Sequence, residues 1–202
     1  LAGAGGVQEY SDPNNRRADR GNCLQSATDR RHVFNLTGIV RTPTFNNRAV
    51  KTIASNWSLS PIIRITSGDA YTVTTSTDVG LTAVLNQRVN QLSENPYGDG
   101  SILHYLANDP TAPTFRLPAT GGRGNMGAAN IQGPLYWQFD TSLSRAFRIR
   151  EGQQLEVRGE AFNLLNGVRK GPPIVNFNAG NFGQITTALD PRIMQCAFKY
   201  VF

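Results

Sequence analysis

The chain has 202 residues, 17% of them charged, with Lys+Arg 20 against Asp+Glu 14 and a net charge of +6. That length suits one domain with a sizeable core, and the charged fraction lies below the roughly 25% usual for soluble globular domains. Arginines cluster at Arg16, Arg17, Arg20, Arg30 and Arg31 among Asp12, Asn14, Asn15 and Asp19. This reads as a solvated loop, because a nucleic-acid surface gathers basic residues on one element with aromatics nearby.

The opening "LAGAGGVQEY" has no initiator Met and no export signal, and it is read as a cut edge. The first expected strand is Arg31 to Arg41, with Phe34, Leu36, Gly38 and Val40 on one face, since alternate side chains of a strand share a face. A short turn, "TPTFNN", follows near Pro43. The second strand runs from Trp57 to Thr66. Pro61 within it cannot donate a ladder hydrogen bond, so a bulge is expected there. "SGDAYTVTT" extends this strand past a kink at Gly68. Next comes a long stretch from about Ser76 to Pro134, rich in Asn, Gly, Pro and Thr. Its best helical segment is "DVGLTAVLNQRVNQL". So long an irregular connection is unusual in a compact soluble domain.

The third strand is Tyr136 to Arg148, its apolar face (Trp137, Phe139, Leu143, Phe147) interrupted only by Thr141 and Arg145. A tight turn at Gly152 leads to the fourth, Gln154 to about Leu164, with Leu155 and Val157 on one face and Glu156, Arg158 and Glu160 on the other. A second polar connection, Asn166 to Pro191, precedes the last strand. There Met194, Cys196, Phe198, Tyr200 and Phe202 form one apolar face ending the chain, with Lys199 on the other.

Two features bear on what the apolar face touches. The polar face carries full charges in mid-strand: Asp140, Glu156, Arg158, Glu160 and Lys199. Connection lengths also alternate, short after the first and third strands, long after the second and fourth. Both fit a transmembrane β-barrel, whose strands alternate lipid-facing and lumen-facing residues. A soluble β-sandwich shares the alternation. No run of 18 apolar residues is present, so no transmembrane helix is expected.

Several segments carry a family likeness. "DRRHVFNLTG", "NWSLSPIIRITSGDAYTV", "GRGNMGAANIQGPLYWQFDTSLSRAFRI", "EVRGEAFNLLN" and "NFGQITTALDPRIMQCAFKYVF" together resemble, in order from Asp29 to Phe202, the C-terminal barrel portion of TonB-dependent outer-membrane receptors of the Oar-like group. The terminal "FKYVF" is similar to the signal by which the barrel-assembly machinery reads a last strand. Cys196, where a bulkier residue is expected, and "SGDAYTV", which lacks a proline near Ala70, depart from the pattern. The resemblance implies an all-β, antiparallel transmembrane barrel of roughly 22 strands around a plug, of which about five strands are present here. Residues 1–28 would then be an extracellular loop at the cut edge, and 29–202 the C-terminal barrel part. Long extracellular loops would span about 76–135 and 166–191, and the turns near Pro43 and Gly152 would be periplasmic.

The site residues expected from this reading fall in three sets. Trp137, Phe139, Leu143, Leu155 and Val157 face lipid. Asp140, Glu156, Arg158, Glu160 and Lys199 face the lumen. Met194, Cys196, Phe198, Tyr200 and Phe202 form the assembly signal. The expected partners are outer-membrane lipid, the assembly machinery, an unidentified substrate, and TonB-type energy coupling through segments upstream. No nucleic acid, metal or cofactor is expected. Cys23 and Cys196 share no CxxC spacing and no ligand spacing with His32 or His104. "GGRGN" lacks the Lys-Ser/Thr of a phosphate loop. Glu156 and Glu160 could pose as an acid/base pair, but with Arg158 between them they read as a charge-compensated ladder. Asn163 and Asn166 in "FNLLN" read as turn formers, and no catalytic site is expected. The alternatives are a secreted β-sandwich that binds through its loops, and a structural or adhesive barrel without transport.

Overall fold

A computed structural model of the chain describes Arg17 and residues 30–202. Cys23 and, Arg17 apart, the expected first loop lie outside the described residues. In chain order the elements are β1 (Val33–Thr37), β2 (Val40–Arg41), α1 (Arg48–Ala54), β3 (Trp57–Thr66), then six two-residue strands, then three long ones. The short strands are β4 (Ala70–Tyr71), β5 (Thr74–Thr75), β6 (Gln87–Arg88), β7 (Asn90–Gln91), β8 (Phe115–Arg116) and β9 (Ile131–Gln132). The long ones are β10 (Tyr136–Arg150), β11 (Gln153–Phe162) and β12 (Ile193–Val201). The described chain is thus all-β, with one seven-residue helix. It divides into two compact units: a sheet unit of residues 33–66, 136–169 and 189–202, and a loop unit built from 67–135 and 170–188 with residues 30–32.

In the sheet unit the long strands lie antiparallel in the order β1-β3-β10-β11-β12, with β2 also paired to β3. The sheet is open: β1 and β12 each leave an edge unpaired among the described residues. Connections 67–135 and 163–192 leave from one end of the sheet, and 42–56 and 151–152 from the other. Gly152, at φ +77°, makes the tight turn between β10 and β11, a backbone region open to glycine without strain.

Several local expectations are corrected. The first strand is not continuous, and Pro61 causes no bulge. Pro61 sits opposite Gly38, whose N–H it still accepts at 3.2 Å, but it has no N–H to return. The ladder therefore breaks between β1 and β2, while the register runs on unchanged from Thr37↔Ile62 to Val40↔Leu59. The register shift in this sheet lies instead between Arg148 and Arg150. Next, the connection near Pro43 is no tight turn. Asn47 caps a helix there, its Oδ1 accepting the N–H groups of Ala49 and Val50 at 3.0 and 3.4 Å. Last, 78–92 is not helical. Asp78 accepts the N–H groups of Thr82 and Ala83 and the Gln87 amide, and Leu81, Ala83 and Asn86 take positive φ. An acceptor that gathers local donors in this way competes with the helix ladder. Nor does β4 extend β3, since it pairs with β9 as a separate two-stranded sheet.

The loop unit has its own core. Val73, Val89, Leu106 and Ile131 are fully buried, joined by Met126, Phe115 and Phe182. Phe182 meets Phe115 and Phe177 edge-on, with centroids 5.5 and 5.2 Å apart, the geometry that aromatic quadrupoles favour. The Thr74 N–H donates to the Val175 carbonyl (3.1 Å) and the Thr74 carbonyl accepts the Phe177 N–H (2.8 Å), which ties the 170–188 segment to the 67–135 segment.

Candidate functional site

The register decides which side chains share a face, because residues directly opposite in an antiparallel pair project the same way. From β3 to β10, Ile65 meets Trp137, Ile63 meets Phe139, and Leu59 meets Leu143. From β10 to β11, Phe147 meets Leu155, Arg145 meets Val157, and Leu143 meets Gly159. From β11 to β12, Leu155 meets Tyr200, Val157 meets Phe198, Gly159 meets Cys196, and Ala161 meets Met194. On the other side of β3, Phe34 meets Ile65 and Leu36 meets Ile63. One face thus carries Trp137, Phe139, Leu143, Leu155, Val157, Met194, Cys196, Phe198 and Tyr200 together. It is not a core: Phe198 is 73% exposed and Met194 69%. Phe202 follows the end of β12, its ring stacked on Tyr200 at 6.0 Å. Cys196 is a free, exposed thiol.

The opposite face collects Asp140, Glu156, Arg158, Glu160 and Lys199. Arg158 bridges two carboxylates on its own strand, 2.8 Å to Glu156 and 3.6 Å to Glu160. The Gln195 amide donates to Glu160, and Lys199 lies opposite Glu156. Exposed ion pairs of this kind add little to stability, so their effect is to set charge and hydration.

A second polar string starts at the beginning of β10. Tyr136 donates to Gln138, whose amide donates to Asp140 at 2.6 Å. The other oxygen of Asp140 accepts the Asn163 N–H at 2.9 Å. Arg169 is buried and donates to Tyr136 Oη (3.3 Å), Gln138 Oε1 (2.9 Å) and the Asp190 carbonyl (2.6 Å). Its guanidinium also lies 5.7 Å from the Tyr136 ring centre. Asn163 and Asn166 both take φ 51°, and Asn163 clamps Gly167 by a pair of hydrogen bonds at 3.0 and 3.1 Å. Gly167 packs on the Trp137 ring so closely that a Cβ there would fall 2.1 Å from Cζ2. Sequence reasoning placed Asp140 but missed Arg169, which sits in a segment read as loop. The signal was a lone arginine closely following "NLLNG".

In the loop unit, Tyr97 and Tyr105 meet edge-on at 5.8 Å and hold the two sides of Gln132: Tyr105 donates to its carbonyl (2.8 Å) and Tyr97 accepts its N–H (2.9 Å). Burial, and then the neighbouring phenols Tyr97 and Tyr71, push Tyr105 up to about 12. Asp78 and Asp99 are held below the usual carboxylate range chiefly by backbone N–H donors, those of Thr82 and Ser101, and Asp109 chiefly by the Thr111 hydroxyl. An open polar recess of about 230 Å³ is lined by Arg31, Gly68, Ala70, Tyr97, Asn130 and Gln132. Among the described residues no group of His, Cys, Asp and Glu is arranged to hold a metal ion. No described helix is long and apolar enough to cross a membrane, which leaves crossing by strands open.

The family model for the outer membrane beta barrel domain matches residues 1–195. No curated protein and no solved structure matches the chain.

Proposed function

The chain belongs to the outer membrane β-barrel domain family, and on that premise we propose that it builds part of the wall of a TonB-dependent receptor of the Oar-like group, which takes up a solute. Family membership locates the protein in the bacterial outer membrane, which sets aside a secreted sandwich. The observation that carries the reading is the register across five strands, which sorts most of the exposed apolar side chains to one face and, Arg145 apart, the charges to the other. In this reading Trp137, Phe139, Leu143, Leu155 and Val157 meet lipid. Asp140, Glu156, Arg158, Glu160 and Lys199 line the lumen. Met194, Cys196, Phe198, Tyr200 and Phe202 present the last strand to the assembly machinery.

An unpaired sheet edge is not tolerated in hydrocarbon, so the free edges of β1 and β12 call for further strands; a receptor of roughly 22 would close the wall. Removing Phe202 should lower the amount of protein inserted in the outer membrane, read by membrane fractionation, and unchanged levels would overturn the assembly role. Transport is tested in cells. A solute whose uptake needs this protein should also fail to enter when the inner-membrane coupling protein is removed. Uptake indifferent to that removal would leave a barrel without coupled transport.

A further inference from the structure

We propose that the helical connection 42–56 seats the phosphate headgroups of anionic phospholipids at one rim of the sheet; the inference rests on the reading that the apolar face meets lipid. α1 buries none of its residues. Its side chains nonetheless divide sharply. At about 100° per residue, Ala49, Val50, Ile53 and Ala54 fall on one side, and Arg48, Lys51 and Thr52 on the other. Ile53 is 71% exposed. A helix with apolar residues on one face and Lys/Arg on the other is the form that lies in a membrane–water interface.

The helix is fastened on the apolar side of the sheet. Arg145, which the register places among the apolar residues opposite Trp57, donates to the carbonyls of Thr52 and Ile53 at the end of α1. Its guanidinium lies over the rings of Trp57 (5.3 Å) and Phe147 (4.7 Å). Trp57 Nε1 donates to the same Ile53 carbonyl at 2.8 Å. The neck of the connection is closed by Thr42 and Trp57, which exchange hydrogen bonds of 3.0 and 2.9 Å. A cation on the apolar face is thus explained by position: it lies at the first residue of β3, a strand end, where arginine and tryptophan both reach headgroup level. The exposed apolar side of α1 thereby continues the apolar face of the sheet.

Charge selects the occupant. Residues 38–60 contain no Asp or Glu, while Arg41, Arg48 and Lys51 all fall within them. Arg148 and Arg150 lie at the same end of β10 as Arg145, with Glu151 the acidic residue at their turn. Arg48 and Lys51 would take the lipid phosphates, and Arg145 positions the helix that carries them.

The test uses the protein with its wall closed, reconstituted in phosphatidylcholine vesicles. Trp137→Phe, with Phe also at any tryptophan of the strands that complete the wall, leaves Trp57 as the single reporter. Brominated phosphatidylglycerol should quench Trp57 more strongly than brominated phosphatidylcholine at equal mole fraction. Replacing both Arg48→Gln and Lys51→Gln should lower that preference by up to about fivefold per charge, while quenching by the neutral lipid persists and shows that the variant is still inserted. Equal quenching by the two lipids, or a preference that survives the double change, overturns the headgroup seat. Quenching by neither lipid sinks the lipid-facing reading itself.

Discussion

The loop unit and the sheet unit solve opposite problems with one chain. In the loop unit one set of apolar residues goes inward to make a core: Val73, Val89, Leu106 and Ile131 are fully buried, while Leu81 and Leu103 stay exposed with Arg116, Asp99 and Asp109. In the sheet unit they go outward, and Ala161 stands alone there among the buried hydrophobics. Water solvates the first arrangement. The second would expose a large apolar patch, which a soluble monomer rarely carries. The difference teaches that hydrophobicity by itself locates neither region. What separates them is where hydrogen-bond pairing runs: over long, unbroken strands in one, and through two-residue strands and side-chain-capped turns in the other.

Mutations can break that contrast from either side. Leu106→Ala should cost about 2–5 kcal/mol and loosen the loop unit alone. Protease should then cut within 67–135 in cells while the amount of membrane-inserted protein stays unchanged. A loss of insertion would show that the two units are not energetically separate.

Phe139→Arg, well along β10 from the headgroup-level Arg145, should cost about 2–4 kcal/mol at the bilayer midplane. Ser142→Arg, on the opposite face and facing Glu160 across the ladder, should stay within about 0.5 kcal/mol. Denaturant titration of both variants in lipid vesicles checks the asymmetry, and equal costs would mean that the faces do not differ in solvent. Gly167→Ala should cost about 1–3 kcal/mol by overpacking against Trp137, seen as a changed emission of that tryptophan in a Trp57→Phe background.

The smallest effect is on pH. Tyr105 keeps its proton in the folded loop unit up to about 12, against 10.0 when free. A raised value means that the associated stability is whole below pH 10 and is lost as pH climbs from there to about 12. A phenolate absorbance titration should show late-ionising tyrosines, Tyr71 being held up by burial as well, and Tyr105→Phe should remove one of them; a Tyr105 that titrates with the exposed phenols would refute its burial.

Much of the sheet was legible in the sequence because period-2 alternation survives wherever both faces have a fixed solvent. β3 begins and ends at the residues the pattern marks, Trp57 and Thr66, and the apolar sets of separate strands meet on one face. The helix α1 was illegible because its signal is one capping asparagine in a run that reads as turn. The loop core was illegible for another reason. Val73, Val89, Leu106, Met126 and Phe182 follow no period, since they converge from turns and not from a regular element. The string around Arg169 needed the return of the chain to Tyr136, which no local pattern announces.

The pairing of β4 with β9 has a consequence for how quickly the sheet can form. The chain leaves at Ala70 and comes back at Gln132, directly opposite. Closing a long flexible loop before any distant pairing rewards it is what slows folding of such topologies. Once the loop unit has folded on its own core, that excursion is pinched shut at its neck, and β3 and β10 meet as the arms of a short hairpin. The entropy left to lose at that seam is that of a few residues, so the β3–β10 seam is expected to zip outward from Thr66 and Tyr136 once the loop unit has formed.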